Sequence, residues 1–327
     1  MNGDDWVGVD AAGKPWVCAS GLRQSPINVP PTHALEHRGS TIPLKHQTTW
    51  SYPAIVSNGS NVEVINNGHA IQVEWLSPYA ADVEIAVPAQ YGNKTTITAV
   101  LGMGDNDPVS TVRATPLQFH FHSNSEHLVV GKYYPLEMHI VHKITDLPAC
   151  AAAGGCFSVT GVLFELADGG DNPLLKAIWA AMPMREGAIN YLPAGAEIHL
   201  EDLLPPANAR DYVTYEGSLT TPPCTEGLLW HVMLKAQKIS HAQWNKYKKA
   251  VALKDCEAAA VANETVPSAA SPSPSATVHH RHHHRRLLEE EAPVNPNDYT
   301  CKVVAYGANY RSSQKLYGRA VKIGRAP

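Results

Sequence analysis

Residues 118–126 read QFHFHSNSE and residues 136–142 read LEMHIVH, and the alternation in these two runs decides the fold. Successive side chains of a strand point to opposite faces, so His120 and His122 emerge together while Phe119 and Phe121 take the other face. A helix would pull the two histidines apart. In the second run Leu136, Met138 and Ile140 alternate with Glu137, His139 and Val141. If the runs pair as strands, His139 brings a third imidazole to the point at which His120 and His122 aim. Gln118 and Glu137 share that face, each two residues from a ligand candidate, where they can accept hydrogen bonds from ligand N–H groups. Three neutral imidazoles around Zn2+ leave a fourth tetrahedral position for water, the arrangement of a catalytic site.

The rest of the chain bounds what such a site can belong to. With 327 residues and 44% hydrophobic composition it can bury one large core. A formal charge of −4 gives no electrostatic argument for nucleic acid as partner, and no run of eighteen apolar residues is present to span a membrane. Six cysteines, Cys18, Cys150, Cys156, Cys224, Cys256 and Cys301, include no CxxC pair, which favours disulfides over redox or structural zinc motifs. Sequons at Asn58, Asn93 and Asn263 agree with an exported, glycosylated protein. The start, MNGDDWVGVD, has no basic and apolar leader, so a signal peptide is expected to have been removed.

From Trp6 to about Cys256, β-rich runs alternate with turn clusters, predicting a mainly β (α+β) catalytic domain over residues 1–256. Two helices are expected: one after Asp171, which would cap NPLLKAIWAAM, and one after Ser240 over SHAQWNKYKKAVAL. Residues 257–297 are Ala/Ser/Pro-rich and then His/Arg-rich, HHRHHHRRLLEEE, and read as a disordered, cleavable linker. The basic segment 298–327 reads as solvated surface. The loop YEGSLTTPPC, 215–224, sets adjacent threonines before two prolines and is suited to presenting a hydroxyl, that of Thr220, to a nucleophile on the metal.

Five motifs, QFHFH, SEHLVVGKYYPLEMHIVH, INNGHA, RQSPIN and YEGSLTTPP, together resemble the α-class carbonic anhydrases over roughly residues 2–256. The resemblance implies a single domain built on a large, mainly antiparallel, twisted central sheet of about ten strands with short surface helices. It implies zinc held by His120, His122 and His139, and hydration of carbon dioxide to bicarbonate and a proton by zinc-hydroxide attack. Thr220 would accept from the hydroxide while donating to Glu126, His69 would shuttle the proton, Val141, Val159, Leu219 and Trp230 would wall the carbon dioxide pocket, and Thr221 would stand at its mouth. Cys18 and Cys224 match the disulfide of secreted members. Family members also carry a Trp-x-Tyr segment ahead of NGxxW, whose water-ordering tyrosine has no counterpart in the sequence as it starts.

The chain is similar in particular to the periplasmic carbonic anhydrases of green algae, in its three sequon positions and in a His/Arg spacer followed by RRLL. That likeness implies a secreted or periplasmic protein processed into a large and a small C-terminal subunit joined by disulfide, and a homo-oligomer remains open. Cys150 and Cys156 would close a small loop, and Cys256 and Cys301 would pair by elimination. Taken singly, several of these residues have blander readings. His127, His142, His199 and His231 read as ordinary core or surface histidines, and the four apolar wall residues as core. Two rival functions are a catalytically weak carbonic-anhydrase-like binding module and a metal buffer using the histidine tract. The complete histidine trio argues against the first, and a stoichiometry near one ion per chain would exclude the second.

Overall fold

The computed structural model describes residues 6–76, 83–89, 97–104, 106–148, 150, 156–258, 299–303 and 309–326, with the backbone alone at 99–100, 253–258 and 299–303. The long strand Val109–His122 pairs antiparallel with Leu136–Ile144, and His120 stands directly opposite His139. Leu136–Ile144 pairs in turn with Cys156–Ala167. Among the described residues these strands form the middle of an eleven-stranded sheet, in line with the expected size of about ten. Most pairings are antiparallel, but Glu226–Met233 and Gln237–Ser240 both run parallel to Cys156–Ala167.

Alternation sorts the two faces as the sequence predicts. Phe119, Phe121, Met138 and Ile140 are completely buried in the larger apolar cluster, on the face away from the histidines. Opposite lies a second cluster, in which register sets Val141 beside Val159, Val159 beside Trp230, Trp230 beside Tyr215, and Tyr215 beside Val321. Cross-strand neighbours of this kind are the unit of sheet stabilisation, so the row braces the histidine face over five strands.

The last member of that row corrects an expectation. Far from being solvated surface, the C-terminal segment adds the strand Val321–Gly324 to the sheet edge, antiparallel to Tyr212–Ser218, with Ile323 completely buried. Arg311 is completely buried as well. Position 256 lies on Leu253–Ala258, which pairs with Tyr299–Val303. The expected Cys256–Cys301 bond concerns side chains outside the described residues, as do Asn93, Asn263 and residues 259–298 of the expected linker.

Both expected helices form, with one cap reassigned. Asn172, not Asp171, caps the 3₁₀ turn Pro173–Leu175 by accepting from Leu174 N–H at 3.0 Å, and the α-helix Lys176–Ala181 follows. Asp171 instead accepts from the Ser240 hydroxyl at 2.5 Å. Ser240 accepts from Gln243 N–H at 3.0 Å at the start of the helix His241–Ala252. Cys18 is joined to Cys224 and Cys150 to Cys156, each with Cα atoms 5.0 Å apart. The first bond closes a separation of 206 residues, long enough to constrain the unfolded chain by about 5 kcal/mol in the chain-entropy account.

His142 and His231 are buried on the far side of the sheet, hydrogen-bonded as ordinary core residues. His142 donates from Nδ1 to the Ser158 carbonyl at 3.3 Å and accepts from the Tyr52 hydroxyl at 2.6 Å, while His231 meets the Thr48 hydroxyl at 2.9 Å. Burial pulls the pKa of His142 down to about 4 and that of His231 to about 3. Because the unfolded imidazole titrates near 6.5, stability is full above that pH and is lost as pH falls toward about 4, by about 3 kcal/mol for His142 alone. Urea midpoints across this window should fall steeply for the wild type and less steeply for His142→Gln; equal slopes would reject the assignment.

Candidate metal centre

His120 and His122 leave the last turn of their strand toward His139, and the three ring centroids lie 5.0, 5.3 and 4.7 Å apart. One nitrogen from each ring lies within 4.8 Å of the others. Each ring's remaining nitrogen is occupied by an acceptor: His120 Nδ1 meets Gln118 Oε1 at 2.9 Å, His122 Nδ1 meets the Asn309 carbonyl at 2.8 Å, and His139 Nε2 meets Glu137 Oε1 at 3.0 Å. An acceptor on one nitrogen fixes the proton there and leaves the other lone pair available. Those inward nitrogens are thus Nε2 of His120, Nε2 of His122 and Nδ1 of His139.

Electrostatics favours the neutral form of His120 and His122. Burial, then the neighbouring imidazoles, hold His120 well below its ordinary pKa, and burial and His139 pull His122 down to about 3. His122 Nε2 is buried with no hydrogen-bond partner. A buried nitrogen lone pair left over in this way is costly unless a cation takes it. Neutral nitrogen donors with acceptors behind them fit Zn2+.

Glu137 anchors the arrangement. Its Oε1 accepts from His139 and from His127 Nδ1 at 2.7 Å, and its Oε2 from the backbone N–H groups of Glu126 and His127 at 2.8 Å each. Burial alone would raise its pKa, but His127 and His139 hold it well below the ordinary carboxylate value. Gly161 stands opposite His139 because a Cβ there would come within 2.9 Å of Glu137 Oε1. His127 extends the chain of bonds through the Tyr215 hydroxyl at 2.7 Å to the Ser25 hydroxyl at 2.9 Å. His127, Glu137 and His139 also satisfy metal-ligand spacing, but they are already bonded to one another.

Glu126 is buried, and burial raises its pKa against the lowering effects of His139, Thr220 and the Arg311 N–H. Oε1 accepts from Arg311 N–H at 2.7 Å, while Oε2 lies 3.7 Å from His122 Nε2 and 3.9 Å from His139 Nδ1. Thr220 is buried beside it. His69 packs edge-on against His122, 5.6 Å between centroids, on the rim of an open depression lined also by Trp6, Trp16, Asn67, Thr221 and Pro222. Val159 and Trp230 are buried, Val141 and Leu219 pack against them, and the Trp230 ring lies 4.8 Å from His139. The apolar wall therefore adjoins the imidazoles.

The family described as eukaryotic-type carbonic anhydrase matches residues 5–266. The chain belongs to this family, the α-class carbonic anhydrases. Among carbonic anhydrases, that of Neisseria gonorrhoeae is 32% identical over 237 residues, covering 72% of each chain. The α-carbonic anhydrase of Thermovibrio ammonificans, solved in complex with the inhibitor sulfanilamide, superposes with a TM-score of 0.56 at 26% identity, covering 94% of this chain and 89% of that one. Carbonic anhydrase Cah3 of Chlamydomonas reinhardtii, solved with acetazolamide, shares the fold with a TM-score of 0.61 at 24% identity, covering 99% and 96%.

Sequence reasoning missed three contributors to this carbonic anhydrase centre. Asn309 holds the outer nitrogen of His122, Arg311 holds Glu126, and His127 is bonded to the carboxylate that orients His139. Arg311 also donates to Gln24 Oε1 at 2.9 Å and to the carbonyls of Ser25 at 2.8 Å and Cys18 at 2.6 Å, tying the N-terminal loop to the site. The available signal was the period-two pair Val321 and Ile323, which marks a half-buried strand in a segment that otherwise reads as basic coil.

Proposed function

We propose that the chain hydrates carbon dioxide reversibly to bicarbonate and a proton, with His120, His122 and His139 holding one Zn2+. When bound, the ion supplies Lewis-acid activation of water at neutral pH, an effect for which carbonic anhydrase is itself the reference case. The observation that carries the reading is the set of three imidazoles, two buried and one half-buried, each with its outer nitrogen occupied and its inner lone pair turned to a shared point.

The chain's own groups then have distinct tasks. Gln118, the Asn309 carbonyl and Glu137 fix which nitrogen of each ring is protonated. Glu126, held at Oε1 by Arg311, keeps Oε2 for the Thr220 hydroxyl, so that Thr220 presents its oxygen as acceptor to the attacking group and selects its protonation state. Val141, Val159, Leu219 and Trp230 give uncharged carbon dioxide an apolar wall from which water is excluded, and Thr221 stands at the mouth. His69, at the rim of the open depression, carries the released proton outward.

The two disulfides and the exposed Asn58 turn support export to the periplasmic or extracellular space, with Asn58, Asn93 and Asn263 as glycan acceptors and 257–297 as the processed stretch. Among the described residues no helix is long and apolar enough to cross a membrane. The test is zinc content beside stopped-flow carbon dioxide hydration, before and after chelation. About one ion per chain and activity that leaves and returns with zinc are expected. Full hydration by the zinc-free protein would sink the proposal, and several ions per chain would favour the metal buffer.

A further inference from the structure

The Asn309 side chain does something that the mechanism above does not use. Its backbone is bonded to the end of the ligand strand: the N–H donates to the Ser123 carbonyl at 3.0 Å and the carbonyl accepts from His122. Its Oδ1 accepts from Ser123 N–H at 2.7 Å. Nδ2 points the other way and donates to the His69 carbonyl at 2.6 Å and the Tyr247 hydroxyl at 3.0 Å, with the Phe121 carbonyl at 3.3 Å. One carboxamide thus joins the His69 turn, the end of the ligand strand and the helix His241–Ala252.

The turn itself is closed from within. Asn67 Oδ1 accepts from the N–H groups of His69 at 2.9 Å and Ala70 at 2.7 Å, and Gly68 N–H donates to Asn66 Oδ1 at 3.1 Å. Those bonds set the shape of the turn but not its distance from the imidazoles. Pairing of Ile71 with Phe121 brings the turn beside the ligand strand, and Asn309 Nδ2 adds a tie at its tip, because the same residue's carbonyl is fixed on His122.

We propose that the Asn309 carboxamide is a positioning residue that moors the His69 turn to the ligand strand, so that the C-terminal segment governs proton export as well as metal geometry. This rests on the shuttle reading of His69. Losing the Nδ2 donor releases the turn as a unit while the backbone carbonyl stays on His122. A misplacement of an ångström in a reacting group is costly, and proton transfer by a positioned side chain contributes about 10²- to 10⁴-fold, so partial loss of aim should cost about threefold to tenfold.

The test is Asn309→Asp, which keeps the Oδ1 acceptor and the backbone carbonyl but removes the donor, with Asn309→Ala as a second variant, both in the full chain. Amide hydrogen exchange of residues 67–70 should speed up in both variants. At low buffer kcat should fall more than kcat/KM, exogenous imidazole should restore it, and in a His69→Ala background the substitution should add no further loss. Unchanged exchange at 67–70 overturns the mooring, as does an equal fall of kcat and kcat/KM that persists without His69. If His69→Ala by itself leaves buffer-limited kcat intact, the shuttle reading fails, and the exchange rates still decide whether Asn309 holds the turn.

Discussion

Replacing His139 by alanine is expected to strip the protein of its metal and with it of carbon dioxide hydration, while leaving the chain folded. A four-ligand zinc site is worth about 10–16 kcal/mol, so one imidazole accounts for about 3 kcal/mol or more, a loss of at least about a hundredfold in affinity. The fold should survive because Glu137 keeps three of its four bonds, those from His127 and the two backbone N–H groups. One buried hydrogen bond to a charged group costs about 1.5–3 kcal/mol, within the margin of a domain this size. Zinc content and stopped-flow hydration check both halves at once. Wild-type activity in His139→Ala with zinc still bound would overturn the assignment of the ligands.

A chain ending at residue 298 should fare worse, because it loses stability and site together. It forfeits the strand Val321–Gly324, and burial of two such side chains, Val321 and Ile323, is worth about 3–6 kcal/mol. The acceptor for His122 Nδ1 and the N–H that holds Glu126 go with it. Loss of an outer hydrogen-bond partner costs about 10- to 100-fold in metal affinity or activity. Thermal unfolding should therefore shift down by many degrees, and added zinc should not restore full activity. Retention of wild-type zinc affinity would show that Asn309 is dispensable to the centre. If the chain is cut within 257–297, the C-terminal piece must stay associated for the centre to last.

The parts of the site that were legible in the sequence are those set by local geometry. Strand periodicity put His120 and His122 on one face, and two-residue spacing put Gln118 and Glu137 within reach of ring nitrogens, as the observed 2.9 and 3.0 Å contacts require. What stayed hidden was set by contacts across long separations. His127 reads as one more buried histidine until Glu137 Oε1 is seen 2.7 Å away. The Asp171 cap failed for a similar reason: Ser240, distant in sequence, claims its carboxylate, and Asn172 caps in its place.

The sequence by itself determined the sheet, its two faces and the convergence of three imidazoles, because a period of two leaves a strand side chain only one of two directions. Only the tertiary structure decided that residues 309–326 complete the centre. A basic, weakly patterned segment gives no local sign of a partner about 190 residues away, and hydrogen bonds from Asn309 and Arg311 to His122 and Glu126 come into being only when the sheet edge closes around them.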